Sequence, residues 1–338
     1  MARSLSLRSA FACGILALAL AVPAAAQTKL KFASFEPPTA ALTSKVMTPW
    51  AAEVSAASKG TLQIDMFPGG TLGRNPAQQF KLVQDGVADI AWIVLGYTPG
   101  RFDDTDVVAL PFVTRNSTEA SVVMTRMLQR DAFVGFADLK VLALAATPPL
   151  VIHSRAPVKT LADVKGKRVR ATGDQLLKVV EAMGGVPVQM AGPAIAEGLS
   201  RGVVDMTLNN WGFVGDFKVN EVTSYHLNMP LGGVAVMIAM RKDKYEALPP
   251  QARAAIDKAS GELLARRLGA MFDEIEVSYM DRIAKSGKNT VVVPTADEIR
   301  AWQQVIEPTN DAWRKAKPRH EQLYQQFTAE LKKVRAGQ

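Results

Sequence analysis

Cysteine is almost absent from this chain of 338 residues, with a single one at position 13. A disulfide framework and a cysteine-rich zinc site are both excluded. Histidine is nearly as scarce: His153, His226 and His320 occur without the H-E-x-x-H spacing that a catalytic zinc would need. The glycine-rich patterns G-x-x-x-x-G-K-[ST] and G-x-G-x-x-G are missing too, so nucleotide chemistry has no support. Beyond residue 26 no stretch approaches 18 uninterrupted apolar residues, and no helical membrane span is expected there.

Hydrophobic residues make up 48% of the chain, enough to bury a sizeable core, and the length suggests two domains. The first 26 residues read as a secretory leader: Arg3 and Arg8 precede the apolar run from Phe11 to Val22, which ends in Ala24-Ala25-Ala26. The mature chain then starts at Gln27 and works in the periplasm. Cys13 lies at the beginning of the apolar run, not at the cleavage point, so lipid attachment is not expected. The formal charge is +8, from 40 Lys plus Arg against 32 Asp plus Glu, and two of those arginines leave with the leader. That excess is too small for a nucleic-acid footprint, though it is compatible with anionic small ligands.

Strand and helix patterns alternate along the chain. Leu30 to Phe35 reads as a strand, and Val46, Trp50 and Val54 recur at helical spacing before Gly60. Leu62 to Phe67 is a second strand, closed by Pro68-Gly69-Gly70. An internal echo follows. Gln78 to Asp85 reads as a helix leading to Gly86-Val87-Ala88-Asp89-Ile90, and Ala194 to Arg201 as a helix leading to Gly202-Val203-Val204-Asp205-Met206. Glycine suits the left-handed residue that ends a helix, and the apolar run suits a buried strand, so the echo predicts two similar lobes. Val141 to Ala145 and Leu150 to His153 read as strands carrying the chain between lobes, the second beginning near Pro149. Val234 to Met240 reads as a strand returning to the first. Pro249-Pro250 opens a helical pattern through Leu264, Leu268, Phe272, Ile275, Tyr279 and Ile283 that runs to Ser286-Gly287. Such a helix would be about 50 Å long and brace more than one lobe. A cleft between lobes is a preferred place for a small ligand.

Two local patterns bear on chemistry. Gly198-Leu199-Ser200-Arg201-Gly202 matches the nucleophile elbow G-x-S-x-G, yet that elbow needs a strand leading into a helix, and here a helix leads into a strand. A periplasmic hydrolase using Ser200 is therefore the weaker reading. Lys167 to Thr172 reads as a strand entering a loop at Gly173, and it carries Arg168 and Arg170. Arginine offers a planar donor fork that matches a carboxylate, although both could equally be solvated surface charges.

Several segments occur together and in order: Leu30 to Ser34, Phe67-Pro68-Gly69-Gly70 through Leu72-Gly73, Asp85 to Asp89, Ala109-Leu110-Pro111-Phe112, Asp163 to Arg170, Leu199 to Asp205, and Tyr245 to Pro249. This series resembles the extracytoplasmic solute receptors of tripartite ATP-independent periplasmic (TRAP) transporters, of the dicarboxylate-receptor (DctP) type. The resemblance implies a two-lobed α/β fold of the type II periplasmic-binding-protein kind, with a ligand cleft between lobes and a long helix spanning them. Residues 27–147 plus 234–275 would form lobe I, residues 148–233 plus 276–330 lobe II, and residues 331–338 a C-terminal tail. It also implies an organic-acid ligand, delivery to integral membrane subunits, a monomer, and no cofactor. The spacing from Lys165-Gly166 gives Arg170 the family's role of pairing with the ligand carboxylate. Asn209 would hydrogen-bond ligand oxygen, and Trp211 would line the pocket or else belong to the lobe core. Phe35, Trp92, Tyr97 and Met190 complete the implied lining. Phe35 and Val94 stand where sialic-acid receptors carry polar residues, so a smaller or partly apolar monocarboxylate is favoured. Receptors for 2-oxo acids hold a cation through a Glu-Trp pair; here Asn210 precedes Trp211, and no metal is expected. An ABC importer's receptor would share this architecture.

Overall fold

The computed structural model describes residues 27–338, so the expected leader lies outside the described residues. Two sheets organise the chain. The first takes β1 (Thr28–Ala33), β2 (Leu62–Phe67), β3 (Ile90–Val94) and β4 (Leu139–Ala146), and it also recruits β10 (Ala235–Arg241) from much later. Its order is β2-β1-β3-β10-β4. The second takes β5 (Val151–Ser154), β6 (Arg168–Ala171), β7 (Val186–Gln189), β8 (Met206–Asn209), β9 (Tyr225–Leu227) and β11 (Thr290–Val292), in the order β11-β9-β5-β8-β6-β7. β1 runs parallel to β2 and β3, and β6 runs parallel to β7 and β8.

The uninterrupted apolar run of β10 follows from its place in the middle of a sheet. Val236, Ile238 and Met240 face one core cluster with Leu30, Phe32 and Trp92. Ala235, Met237 and Ala239 face another with Ala33, Ile93 and Leu144. A strand covered on both faces has no solvent side to mark with polar residues.

The echo read from the sequence is a repeated structural device. Gly86 and Gly202 both take a positive φ, +73° and +67°, where each ends its helix (Gln79–Gln84 and Ile195–Ser200). The aspartate three residues later then ties the incoming strand to its parallel neighbour. Asp89 Oδ2 accepts from Lys31 N at 2.8 Å, and Asp205 Oδ2 accepts from Arg168 N at 2.9 Å. Each aspartate N–H also donates back to the same residue's carbonyl.

Two crossing segments link the sheets and pair with each other. Thr147 N donates to Val234 O, Leu150 N to Gly232 O, and Leu231 N to Leu150 O. The third link is the helix Glu262–Lys285, 24 residues and so roughly 36 Å long. Its Leu264, Leu268 and Phe272 pack in the first lobe, while Ile283 packs in the second with Trp211 and Val214.

Two expectations are corrected by the packing. The single helix expected from Pro249 to Ser286 is broken: Pro250–Ala259 ends at Ser260, and Gly261, with φ +69°, turns its N–H to Leu142 O before the long helix starts. The C-terminal region, expected in lobe II with a tail, is divided. Trp302 and Ile306 join the second-lobe core, but Trp313, Leu323, Phe327 and Leu331 join the first. The helix Pro318–Arg335 is anchored to its end, where Arg335 grips Glu119 at 2.7 Å. Its apolar residues at i, i+4 and i+8 form a stripe that needed a core to cover it.

Candidate functional site

The carboxyl ends of four parallel strands meet where the lobes face each other, which is the usual crevice for ligands in such sheets. β1 delivers Phe35 and Glu36, β3 delivers Trp92, Val94 and then Tyr97, β6 delivers Arg170 and Thr172, and β8 delivers Asn209 and Asn210. All nine line one cavity, together with Leu42, Phe213, Asp216, Val236, Phe272 and Ile275. It leaves about 70 Å³ open to the centres of water-sized molecules. A single water needs about 10–15 Å³ by that measure, so the cavity suits a compact molecule.

Arg170 is 4% exposed, in contrast to Arg168 two residues earlier, whose side chain turns outward to pair with Asp205 at 2.9 Å. The two share one face of β6, so position along the strand separates them: Arg168 stands at its exposed start and Arg170 in its buried part, near the end that meets the cleft. The guanidinium of Arg170 donates Nε–H to Met190 O (3.0 Å), Nη1–H to Leu208 O (3.4 Å) and Nη2–H to Tyr97 Oη (2.8 Å). Every partner is neutral, and among the described residues no carboxylate lies within salt-bridge distance. Burial lowers its pKa, with Tyr97 acting the other way. A guanidinium has five N–H groups, so one on each terminal nitrogen is left over. That pair is a fork of the spacing a carboxylate accepts.

Around this fork stand further donors. Thr172 Oγ1 is buried with no partner. Asn209 is 6% exposed; its Oδ1 accepts from Asn210 N at 3.1 Å, which leaves its amide N–H groups for the cavity. Tyr97 crosses the cleft, since its hydroxyl also accepts from Gly192 N at 2.9 Å. Beside it, Gly96 and Gly173 approach so closely that a Cβ on Gly96 would lie 3.2 Å from Gly173 Cα.

The rest of the cavity is apolar, with two acidic exceptions. Phe35 lies 6.5 Å from Phe217, and Trp92 lies 6.4 Å from Phe272, ring centre to ring centre. Glu36 has its pKa pushed up to about 8, by burial first and the charge of Asp216 second. The Trp92 indole N–H opposes that shift, though it does not reach hydrogen-bond alignment with the carboxyl. Glu36 enters from the end of β1 in the first lobe and Arg170 from β6 in the second, so the two belong to walls contributed by different lobes. Asp216 accepts from the Tyr279 hydroxyl and from Ala41 N (3.4 Å).

Arg170, Asn209, Trp92, Phe35 and Tyr97 are thus brought together, whereas Trp211 and Met190 fall outside the lining. Trp211 is 1% exposed in the second-lobe core, its Nε1–H donating to Asn228 Oδ1 at 3.1 Å, its ring 5.0 Å from His153 and 5.1 Å from His226. Its backbone N–H starts the helix Trp211–Asp216 and donates to Glu276, which fixes the ring inward. Met190 reaches Arg170 through its carbonyl only. Its thioether packs at Gly198, where a Cβ would come within 2.8 Å of the sulfur. Glu36, Thr172 and Asp216 are lining residues that the sequence reading missed. Ser200 is exposed at the end of a helix that leads into β8, the reverse of an elbow.

Two α/β lobes joined by paired crossings and a shared helix, closed on a buried cation with unused donors, define a ligand-capturing receptor. Its sequence matches the family model of the bacterial extracellular solute-binding proteins, family 7 (DctP), over residues 32–316. The chain is similar to a TRAP solute-binding protein from Rhodoferax ferrireducens in complex with copurified benzoate: TM-score 0.86 and 31% identity, covering 91% of this chain and 98% of that one. It is also similar to a marine metagenome TRAP solute-binding protein specific for aromatic acid ligands, in complex with 3-hydroxybenzoate: TM-score 0.86 and 29% identity, covering 91% and 98%. The outer membrane transporter protein TsaT of Comamonas testosteroni is 26% identical over 314 residues, covering 88% of this chain and 90% of TsaT. The chain belongs to the DctP family of solute-binding proteins, the receptors of TRAP transporters.

Proposed function

We propose that this receptor captures a compact, mainly apolar monocarboxylate, with aromatic acids the best-fitting class, and presents it to the membrane subunits of a TRAP transporter. The observation that carries this reading is Arg170: a buried cation with neutral partners and a free pair of N–H groups at the edge of an aromatic-lined cavity. Burying a charge without a counter-charge is costly, and a ligand carboxylate removes that cost while filling the fork. Trp92, Phe35 and Phe272 would cover the ligand's apolar body. The aromatic-acid complexes of the two similar receptors support the same class.

In this reading Asn209 and Thr172 bind the carboxylate's remaining lone pairs, and Tyr97 joins the lobes over it. The two lobes close as bodies about the 147–150 and 231–234 crossings, the receptor acts as a monomer in the periplasm, and it leaves its ligand chemically unchanged. A thermal-shift panel of benzoate, substituted benzoates, phenylacetate, mandelate, succinate and sugar acids tests it, because a ligand that binds the folded state raises its stability by mass action. Upward shifts with the aromatic monocarboxylates are expected. Shifts confined to succinate or to sugar acids would refute the class.

A further inference from the structure

The buried glutamates of this protein are partnered with one exception. Glu119 is gripped by Arg335, and Glu330 by Arg126 and Arg130. Glu36, 8% exposed, has no cation partner among the described residues, and the nearest donor to its carboxyl is the Trp92 indole N–H. Its backbone is pinned at both ends, the N–H donating to Ser34 Oγ at 3.1 Å and the carbonyl accepting from Gly69 N at 2.7 Å, so the side chain is held over the cavity. Trp92, 2% exposed on the neighbouring strand, lines the same cavity, and its indole N–H has no acceptor. An acid and a donor thus stand side by side in the cavity wall, the indole N–H near the carboxyl but short of hydrogen-bond alignment with it. Buried polar groups are rarely left so, and each such group invites a ligand explanation.

We propose that Glu36 and Trp92 form a second polar subsite, which selects carboxylate ligands bearing a hydroxyl on the part of the molecule away from Arg170. The inference rests on the proposed ligand class. A hydroxyl both donates and accepts, so one such group satisfies the Trp92 N–H and the Glu36 carboxyl together. A second carboxylate would have to be buried beside Asp216, with no cation in the lining other than Arg170. An ammonium group would pair with Glu36 but leave the Trp92 N–H without an acceptor. Asp216 is already engaged by Tyr279 and Ala41, which leaves Glu36 as the reader. A site built to hydrogen-bond a substrate hydroxyl discriminates strongly against the analogue without it, because its own groups are then left unpaired.

Calorimetric titration of the purified mature protein with benzoate, 3- and 4-hydroxybenzoate, isophthalate and 3-(aminomethyl)benzoate tests the subsite. At least one hydroxybenzoate should bind about tenfold more tightly than benzoate, and isophthalate more weakly than either. The readout in the variants is the ratio of hydroxybenzoate to benzoate affinity, which should fall to within about threefold of unity in Glu36→Leu. Trp92→Phe keeps the ring and removes only the N–H; it should lower the same ratio, and it serves if the leucine variant does not fold. A ratio near one in the wild type, a ratio unchanged by both substitutions, or preference for the ammonium compound overturns the subsite while leaving the carboxylate anchor standing. Binding of these acids that does not depend on Arg170, or no binding at all, overturns both.

Discussion

Replacing Arg170 by alanine separates the anchor from the rest of the cavity. Three of the five guanidinium N–H groups are used by Met190, Leu208 and Tyr97, so a ligand carboxylate takes two. Hydrogen bonds to a charged group contribute about 1.5–3 kcal/mol each, so the pair is worth roughly 3–6 kcal/mol. At about 1.4 kcal/mol per decade, that is on the order of 100-fold to 10,000-fold in Kd. The three protein acceptors lose their donors whether or not ligand is present, so that loss largely cancels from the binding difference. In the ligand-free protein two effects oppose each other: three hydrogen bonds disappear, and an uncompensated buried charge goes with them. The melting temperature without ligand should therefore move little. With ligand the contrast is large. At a concentration 100 times the wild-type Kd the wild type gains about 2.7 kcal/mol, and a variant weakened 100-fold gains only about 0.4 kcal/mol. Arg170→Lys, which keeps charge but loses the planar fork, should fall between. Isothermal titration of the folded alanine variant decides the matter: a Kd within threefold of wild type, for every acid the wild type binds, would refute the anchor.

Tyr97→Phe removes the hydroxyl that joins the first lobe to Arg170 and Gly192 of the second; a loss of roughly tenfold in affinity is expected, with small-angle scattering showing a more open ligand-free ensemble. Gly96→Ala inserts a methyl 3.1 Å from Thr172 Cγ2 and 3.2 Å from Gly173 Cα, where the lobes touch. It should weaken binding while leaving the ligand-free melting temperature unchanged, and a drop in both would mean a folding defect instead. Glu276 has its pKa pushed up to about 8, by burial first, with Asp273 adding and the N–H groups of Trp211 and Gly212 opposing. Between about pH 4.5 and 8 the folded protein keeps a proton that the unfolded chain has released, so stability falls as pH rises through that window. Glu276→Gln should flatten this fall in a series of melting curves, with Glu36, Asp106 (pushed up to about 7 by burial first) and Asp216 contributing to what remains, and parallel profiles would contradict the assignment.

The fold was legible because its signals are local and repeated. Gly86 and Gly202 each precede an aspartate that ties two parallel strands, and the repetition survives in the letters. β10 could be placed in a sheet from its apolar run alone. The long helix was over-extended because apolar periodicity continues across Ser260-Gly261, while the left-handed turn there depends on one glycine. The last helix was passed over because lysines and arginines outnumber the residues of its narrow stripe, Leu323, Phe327 and Leu331. In the site, Arg168 and Arg170 share a face of β6, and what distinguishes them is their neighbours: Arg168 meets Asp205 at the exposed strand start, while Arg170 is covered by Met190, Leu208 and Tyr97, which come from other elements. Glu36 gave no signal, since a glutamate before two prolines reads as exposed loop. Trp211 was misplaced because a tryptophan beside a polar strand end fits a pocket wall and a core equally well. Its indole found Asn228 and two histidines from other strands, partners that no local window contains.

The neutral surroundings of Arg170 also bear on when the receptor should close. On the proposed reading, with the lobes together and no anion inside the fork would be a stranded positive charge, and the ligand carboxylate would be its counter-ion. The protein would thereby set an electrical condition on its own shape: the shut form would be favoured when loaded, with the penalty for shutting without cargo written into one side chain. A membrane partner that engages only the shut form would then meet few unladen receptors, and traffic at the transporter would follow the supply of acid rather than the abundance of the protein.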